Sequence, residues 1–293
     1  MRFHTIKDLE RLTGVKAHTI RIWEQRYFLL TPERTDTNIR TYSDNELKKL
    51  INVSFLIKHG YKISKIAKLT DIETNNIIKK IEESNDLNTV NQIWVDNIIK
   101  ACIDFDEITF EVIFSHCVLK IGFEETLTKV IYPTLQRVGI MWGIDEISPA
   151  QEHFLSNLIR KKILVAIDGM LPEINQNSST YLLFLPQWEQ HDLGILYSYY
   201  LLRKNNYKVI YLGINTPYES LKDIDSSLFE AIVTFFIVSE ENTKVSEFLN
   251  QMSADFPDKK IFFAANEYLL GDQKLSGSLI RLFSPMDLIK LNA

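Results

Sequence analysis

A histidine flanked by carboxylates is the group in this 293-residue sequence best suited to metal chemistry. Glu189, His191 and Asp192 stand in the stretch QWEQHDLG, which follows the apolar run Tyr181–Leu185. A carboxylate can hold one ring nitrogen of a histidine and leave the other nitrogen to ligate a metal. Gly194 allows backbone or ligand to come close to the start of the next predicted helix. The alternative is an ordinary exposed loop histidine.

A second group of candidate side chains lies near the amino terminus, where the charge is uneven. Residues 1–70 hold 14 Lys or Arg against 7 Asp or Glu, a net charge of +7, whereas the rest of the chain carries −12. A basic module on an acidic body favours contact with an anionic partner, and random surface charge is the alternative. The candidates for that contact are Lys16, His18, Thr19, Arg21, Arg26, Arg34, Arg40 and Tyr42.

The elements that position these basic residues form a predicted winged helix-turn-helix. Thr5 can cap a first helix, and Thr13-Gly14-Val15 is a tight turn before a second helix over Lys16–Tyr27. Residues 31–42 indicate a hairpin or wing, and Ser43-x-x-Glu46 is a capping box that opens a third helix. In such a fold the second helix enters the major groove of DNA, and wing arginines neutralise backbone phosphates.

The stretch TIKDLERLTGVKAHTIRIWEQRYFLLTPERTDTNIRTYSDNEL closely resembles the winged helix of MerR-family regulators. The LTGV turn, the IRIWEQRY helix, P-x-R and the R-x-Y of the wing carry this resemblance, which covers about the first 70 residues. It implies a double-stranded DNA operator as partner. The version with Trp23 resembles the branch that carries a separate sensory domain. We assign residues 1–75 to this domain and the polar residues 76–92 to a linker, which would place dimer contacts further along the chain.

The remainder of the chain divides into a predicted helical bundle and a predicted α/β domain. Residues 93–172 show long helical periods, which indicate about four helices. After a Pro/Asn/Ser break at 172–179, residues 179–293 alternate between the two element types, with predicted strands Tyr181–Leu185, Lys208–Leu212, Ala231–Val238 and Lys260–Ala264, and predicted helices Leu193–Asn205, Tyr218–Ser226 and Asn242–Met252. This alternation predicts a doubly wound, Rossmann-like (flavodoxin-like) parallel sheet. The fold class is therefore multidomain α and α/β.

Glu189-x-His191-x-x-Gly194 resembles the Asp-x-His-x-x-Gly motif of cobalamin-binding domains, in which the histidine becomes the lower ligand of cobalt. The Ser-x-Leu and Gly-Gly of those domains, which frame the nucleotide tail, correspond to Thr234-Phe235-Phe236 and Ala264-Ala265. The resemblance implies that His191 ligates cobalt and that the cofactor is bordered by Glu189, Asp192, Gly194, Thr234, Ala264 and Ala265. Glu in place of Asp keeps the carboxylate, and Thr in place of Ser keeps the hydroxyl. Ala-Ala in place of Gly-Gly narrows the channel for the nucleotide tail by two methyl groups.

Trp142, nine intervening residues and Glu152-His153 resemble the signature of the helical caps that cover the upper face of cobalamin in light-responsive regulators of the CarH/LitR class. The resemblance implies that Trp142 covers the upper axial group, with Glu152 and His153 beside it. Core packing for Trp142 and a first-turn carboxylate for Glu152 are the alternatives. Gly143 follows Trp142, so photochemistry that needs an imidazole at that position would be absent or altered.

Several classes of protein are disfavoured by what the sequence lacks. It has no nucleophile–base arrangement, P-loop or dinucleotide-binding turn, so the ligand acts as an effector and the protein is not an enzyme. Two cysteines are too few for a disulfide framework, and no apolar run reaches the about 20 residues of a membrane helix. The polar amino terminus predicts a cytoplasmic protein.

The sequence therefore predicts a transcriptional regulator with a cobalamin sensor, most simply adenosylcobalamin. Its operator binding and its state as homodimer or homotetramer would follow the cofactor, and light that removes the adenosyl group would reset them. One alternative keeps the fold but uses a cofactor-free domain for protein–protein regulation. A corrinoid carrier for methyl transfer is the other alternative.

Overall fold

The computed structural model describes residues 3–35, 38–82, 87–170, 178–237, 245–270, 275 and 277–290. The chain forms two compact units, Met1–Asn157 and Leu158–Ala293. Most of the break expected at 172–179 lies outside the described residues, as do Val238 and the expected helix start at 242–244.

The first unit begins with the winged helix-turn-helix that the sequence predicts. Its elements are β1 (Phe3–His4), α1 (Ile6–Thr13), α2 (Ala17–Tyr27), β2 (Glu33–Arg34), β3 (Arg40–Ser43), α3 (Asp44–Lys58), α4 (Ile63–Ile66) and α5 (Asp71–Glu82). The strands pair antiparallel in the order β1-β3-β2. The expected cap at Thr5 and the capping box of Ser43 with Glu46 are confirmed. Gly14 takes the left-handed φ of +73° that the turn between α1 and α2 requires.

The polar residues 76–92, expected to form a linker, are helical for most of their length. Helix α5 runs through Glu82, and the next helix begins at Leu87; residues 83–86 lie outside the described part. Thr70 and Glu73 cap the start of α5 reciprocally, and Thr74 and Ile78, one helical turn apart, are buried. A surface helix needs only a narrow buried stripe, so its mostly polar composition hides the helical period.

The bundle comprises α6 (Leu87–Asp104), α7 (Glu107–Ile121), α8 (Phe123–Thr126), a π-helical segment (Leu127–Ile131), α9 (Tyr132–Gly143) and α10 (Pro149–Asp168). Helix α8, the π-helical segment and helix α9 follow one another without a break and count as one helix. The bundle therefore has the four helices that the sequence predicts. Trp94, Phe110 and Val130 are buried in it. Ser148 and Gln151 cap α10 as expected, with the Gln151 amide oxygen 2.9 Å from the Ser148 backbone nitrogen. Helix α10 continues into the second unit.

Charged side chains join the winged helix to the bundle within the first unit. His4 is 1% exposed; its Nδ1 hydrogen-bonds Glu146, which follows α9, and its Nε2 lies 2.7 Å from Asp44 at the start of α3. Lys48 of α3 donates to Asp104 of α6 at 2.8 Å. Lys100 of α6 donates to Asn52 of α3. The winged helix-turn-helix is therefore packed against the bundle within this unit.

The second unit contains the doubly wound parallel sheet that the sequence predicts. Its elements are β4 (Thr180–Pro186), α11 (Leu193–Lys204), β5 (Lys208–Thr216), β6 (Ala231–Phe236), α12 (Val245–Asp255), β7 (Lys260–Ala265), α13 (Glu267–Leu270), β8 (Leu279–Arg281) and α14 (Asp287–Lys290). The strand order is β5-β4-β6-β7-β8. Two apolar cores cover the sheet, one under α12 and one under α11 and α14.

Two elements of this unit differ from the sequence expectation. The helix expected over Tyr218–Ser226 is a 3-10 helix over Tyr218–Asp223, followed by a 3-10 turn over Ser226–Leu228. Strand β8 was not predicted, because three residues are too few to show a strand period. No helix among the described residues is long and apolar enough to cross a membrane.

Candidate functional site

The loop between β4 and α11 carries the histidine on a buried carboxylate. Glu189 is fully buried, and its Oε1 accepts hydrogen bonds from the backbone nitrogen of His191 at 2.8 Å and from Nδ1 of the same residue at 2.6 Å. Its Oε2 accepts from the backbone nitrogen of Ile237 at 2.5 Å. The His191 side chain is 54% exposed. Because an ionised carboxylate only accepts, Nδ1 carries the proton, and Nε2 is the nitrogen able to ligate a metal.

Asp192, next to this histidine, pairs with an arginine of the preceding helix. It is 6% exposed, and its carboxylate receives a forked ion pair from Arg160 of α10, with Nε and Nη2 at 2.8 and 2.7 Å. A bidentate guanidinium fixes both the position and the orientation of a carboxylate. Asp192 thus anchors the loop to α10. Arg160 was not identified from the sequence, because it lies 32 residues away without a motif of its own.

At Gly194 another group does come close to the backbone, as expected for this glycine, and that group is the side chain of Phe235. A Cβ atom placed on Gly194 would lie 3.0 Å from Cδ1 and 3.2 Å from Cε1 of Phe235. Carbon atoms pack at about 3.5–4.0 Å, so any side chain here would push against that ring. Phe235 is 6% exposed and belongs to the core under α11.

The remaining predicted cofactor residues follow on β6 and β7. Thr234 is fully buried, and its Oγ1 has no hydrogen-bond partner within the described ranges. Ala264 pairs in register with Phe235, and Ala265 with Phe236. The backbone oxygen of Ala265 accepts a hydrogen bond from Arg281 at 3.0 Å. The topology thus brings Glu189, His191, Gly194, Thr234 and the two alanines to the same carboxyl edge of the sheet, where doubly wound folds bind ligands.

The chemistry of these residues fits a corrinoid. The described part of the chain contains no cluster of three or more His, Cys, Asp or Glu that could hold a metal ion by itself. A corrinoid brings its own bound cobalt, and His191 is the side chain that could ligate it. The orphaned hydroxyl of Thr234 suits a hydrogen-bonding ligand atom. The methyl group of Ala264 and the ring of Phe235 lie in the core under α11 and would reduce the space for a tail there, whereas Ala265 packs against the core under α12.

In the first unit, the predicted cap residues lie on exposed surface. Trp142, near the end of α9, is 54% exposed, so it is not a core residue of this unit. Glu152 occupies the first turn of α10 and accepts hydrogen bonds from Ser156 and, at 2.5 Å, from Nδ1 of His153. His153 is 72% exposed. An exposed aromatic ring such as Trp142 can cover a flat ligand.

The exposed face of α2 carries most of the predicted DNA contacts. His18, Arg21 and Arg26 are exposed, and Thr19 is partly exposed beside His18. Lys16, just before the helix, is 70% exposed and pairs with Glu10 at 2.9 Å. In the wing, Arg34 is exposed and donates to Asn38 at 2.5 Å.

Arg40 and Tyr42 are placed differently, since both contact Glu24 of α2. Arg40 Nε lies 2.9 Å from Oε1 of Glu24, and the Tyr42 hydroxyl donates to Oε2 at 3.0 Å. Tyr42 is fully buried, and burial together with the charge of Glu24 raises the pKa of its hydroxyl. Arg40 and Tyr42 therefore join the wing to α2 through Glu24. The position of Glu24 on a helix gave no indication of this role in the sequence.

The fold and these sites can be compared with known proteins. Residues 4–72 match the MerR HTH family regulatory protein model, and residues 94–166 match the B12 binding domain model. The HTH-type transcriptional repressor CarH of Myxococcus xanthus is 27% identical over 223 residues, covering 75% of this chain and 74% of the repressor. The repressor CarA of the same organism is 25% identical over 270 residues, covering 90% and 88%.

A solved structure shows the same fold. The monomethylamine corrinoid protein of Methanosarcina barkeri superimposes with a TM-score of 0.56 at 13% identity, covering 69% of this chain and 98% of that protein. The chain therefore combines a MerR HTH domain with a B12 binding domain and is homologous to the transcriptional repressors CarH and CarA.

Proposed function

We propose that this chain, in which a MerR HTH domain precedes a B12 binding domain, is a transcriptional regulator controlled by a corrinoid, with adenosylcobalamin as the form bound. The observation that carries the proposal is the hydrogen bond from Nδ1 of His191 to the buried Glu189. It orients Nε2 as a metal ligand at the carboxyl edge of a parallel sheet. The printed names of two relatives support transcriptional control.

In the DNA-binding half, the exposed face of α2 enters the major groove of a double-stranded operator. Arg21 and Arg26 meet base edges or phosphates there, with Lys16, His18 and Thr19 beside them. Arg34 contacts the backbone from the wing. Arg40 and Tyr42 keep the wing in place through Glu24, so their removal acts through wing position.

In the sensory half, His191 would ligate the cobalt, while Glu189 holds Nδ1 of His191 and Asp192 fixes the loop. When bound, the corrinoid would supply a cobalt ion with an exchangeable group. By their resemblance to a cobalamin cap, Trp142, Glu152 and His153 would cover that group. By their resemblance to a cobalamin-binding domain, Gly194, Thr234, Ala264 and Ala265 would border the cofactor.

Ligand binding controls DNA affinity through the oligomeric state. Two linked heads bind two half-sites far more tightly than a single head, because the second contact is intramolecular. A ligand shifts the equilibrium between homodimer and homotetramer only by its different affinity for the two states. Light that releases the upper group would return the protein to its ligand-free state. The protein acts in the cytoplasm, where its operator is.

The first experiment is a titration of the full chain with adenosylcobalamin in the dark, followed by visible absorption. We expect a saturable spectral shift in the wild type, which His191→Ala abolishes. His116→Ala, which changes an exposed histidine of α7, is the matched control and should bind like the wild type. A shift that survives His191→Ala would refute histidine ligation.

The DNA half is tested by mobility shift with fragments of the genome upstream of this gene. Arg21→Ala should weaken binding, whereas Arg11→Ala, an exposed arginine on α1, should change it little. The affinity should fall steeply as salt rises, since each phosphate contact releases counterions. Equal binding by both variants at all salt concentrations would exclude α2 as the contact surface.

Control by a protein partner without cofactor is the second candidate. The specific observation in its favour is that Phe235 and Ala264 fill part of the cofactor region. In that case the wild type would show no spectral shift with any corrinoid and would still bind DNA.

A further inference from the structure

We infer that Phe235 determines which corrinoid this protein accepts, because its ring occupies the space that a lower nucleotide tail would need. The preferred ligand is then a corrin ring without a nucleotide, of the cobinamide class, held by His191. This inference rests on the proposed function, since it specifies the ligand of the same site. Three observations carry it.

The first observation is the contact at the start of α11. The ring of Phe235 lies so close to Gly194 that an added Cβ would be 3.0 Å from it. The space beside this glycine is where close approach of a ligand is expected, and the protein itself fills it. The ring is 6% exposed, so it is a packed side chain and does not lie loosely over a cleft.

The second observation is the neighbour of that ring on β7. Ala264 pairs in register with Phe235, and both contact the core under α11. In-register side chains on adjacent strands stand about 4.8 Å apart on one face of the sheet. The methyl group of Ala264 therefore adds to the ring, and the two side chains together make a continuous apolar filling beside Gly194.

The third observation is the burial of Thr234, which precedes Phe235 on β6. Thr234 is fully buried, and its hydroxyl has no partner in the described part of the chain. Because side chains alternate along a strand, this hydroxyl lies on the opposite face of the sheet from the Phe235 ring and offers no hydrogen bond to a tail beside Gly194. In contrast, His191 is 54% exposed and accessible to a flat ligand. The site is thus accessible at His191 and narrowed where a tail would enter.

The test compares adenosylcobinamide, which lacks the lower nucleotide, with adenosylcobalamin, both titrated in the dark against the full chain. We expect the wild type to bind adenosylcobinamide at least about tenfold more tightly, the size of discrimination that a small steric difference in an apolar pocket gives. Phe235→Ala should tighten adenosylcobalamin binding by a similar factor and leave adenosylcobinamide binding nearly unchanged. Phe235→Leu, which keeps the core apolar, should behave in between.

A stability measurement keeps the inference testable if Phe235→Ala is poorly folded. Gly194→Ala should lower the melting temperature of the wild type, because the new methyl group meets the ring. The same change should cost much less in the Phe235→Leu background. Equal losses in both backgrounds would overturn the contact on which the inference rests.

The binding outcomes separate this inference from the proposed function. Equal affinity of the wild type for the two corrinoids, with no change of the ratio in Phe235→Ala, overturns the inference and leaves the corrinoid sensor standing. Binding of neither ligand by any variant overturns both. Tighter binding of adenosylcobalamin by Phe235→Ala than by the wild type, with adenosylcobinamide binding unchanged, supports the inference, since the ring is then the barrier.

Discussion

His4 and His191 each hydrogen-bond a glutamate that is almost wholly buried, yet their surroundings differ. His4 is 1% exposed, and a second carboxylate, Asp44, lies 2.7 Å from its other ring nitrogen. His191 is 54% exposed and has Glu189 at 2.6 Å from Nδ1. The first histidine joins three elements of the winged helix and bundle, whereas the second sits at the tip of a loop.

The difference shows how burial separates two histidines that each contact a glutamate. Both ring nitrogens of His4 contact carboxylates inside the protein, so its imidazole is closed to a metal. The imidazole of His191 is half exposed, so a ligand from solvent can reach the ring. The neighbouring glutamate alone does not distinguish the two. Burial does, and burial is a property of the folded chain.

The largest expected effect concerns Glu146, the partner of His4. Removing one member of a buried ion pair leaves the other charged or polar group uncompensated, which costs about 3–5 kcal/mol. We expect Glu146→Ala to lower the free energy of unfolding by that amount in denaturant titrations and to leave the spectral shift with corrinoid intact in the folded protein. A loss under about 1 kcal/mol would contradict the structural role of His4.

The next effect tests whether water is excluded from the contact between α3 and α6, where Lys100 donates to Asn52. Burial lowers the pKa of Lys100 from 10.5 to about 8. Between about pH 8 and pH 10.5, Lys100 binds more protons in the unfolded chain than in the folded one. The free energy of unfolding therefore rises with pH across that window. The total rise is about 3 kcal/mol, from about 1.4 kcal/mol per pKa unit.

Lys100→Met should remove this rise and increase stability near neutral pH, because an ammonium is no longer buried. Lys49→Met, at an exposed position of α3, is the control and should keep the pH dependence of the wild type. Denaturant titrations from pH 7 to 10.5 make the measurement. An unchanged slope in Lys100→Met would mean that water reaches this interface.

A smaller difference in the free energy of unfolding is expected between variants of Glu189 and of His191, the hydrogen-bonded pair of the loop. Glu189 accepts the backbone N–H groups of His191 and Ile237, so Glu189→Ala leaves donors unsatisfied and should cost about 1–3 kcal/mol. His191→Ala should change stability by less than about 0.5 kcal/mol, as for other exposed positions. The reverse order in thermal or denaturant unfolding would make His191 a structural residue like His4.

The smallest effect is expected at the exposed pair of Glu152 and His153. Their contact at 2.5 Å involves a histidine that is 72% exposed, and such pairs contribute about 0–1 kcal/mol. Glu152→Gln should therefore unfold at nearly the same denaturant concentration as the wild type. A clear loss of stability would indicate that Glu152 supports the bundle and is not reserved for a ligand.

Local chemistry explains which parts of the fold could be predicted. The caps at Thr5, Ser43 and Ser148 depend on residues three positions apart, and the long strands of the sheet show continuous apolar runs. Strand β8 is too short for such a pattern, and α5 is too polar. Both are held by tertiary contacts that no window of sequence contains.

The contacts of the candidate site also divide into local ones, which the sequence could predict, and distant ones, which it could not. The pairing of Glu189 with His191 spans two positions and was expected from the motif. Arg160 on Asp192, Glu146 on His4 and Phe235 on Gly194 join residues 32, 142 and 41 positions apart. Such partners are fixed by topology, so spacing alone could not identify them.

The π-helical segment Leu127–Ile131 has a consequence for the direction of Trp142. A single π turn in an α-helix is equivalent to one inserted residue, and each residue turns the helix by about 100°. The side of α9 that carries Trp142 is therefore offset by that angle from the side it would present in an unbroken helix. Deleting one residue from this segment would rotate the exposed ring toward a different face and turn buried Val138 and Met141 away from theirs. The direction in which Trp142 points is thus encoded eleven or more residues upstream, in a length and not in a side chain.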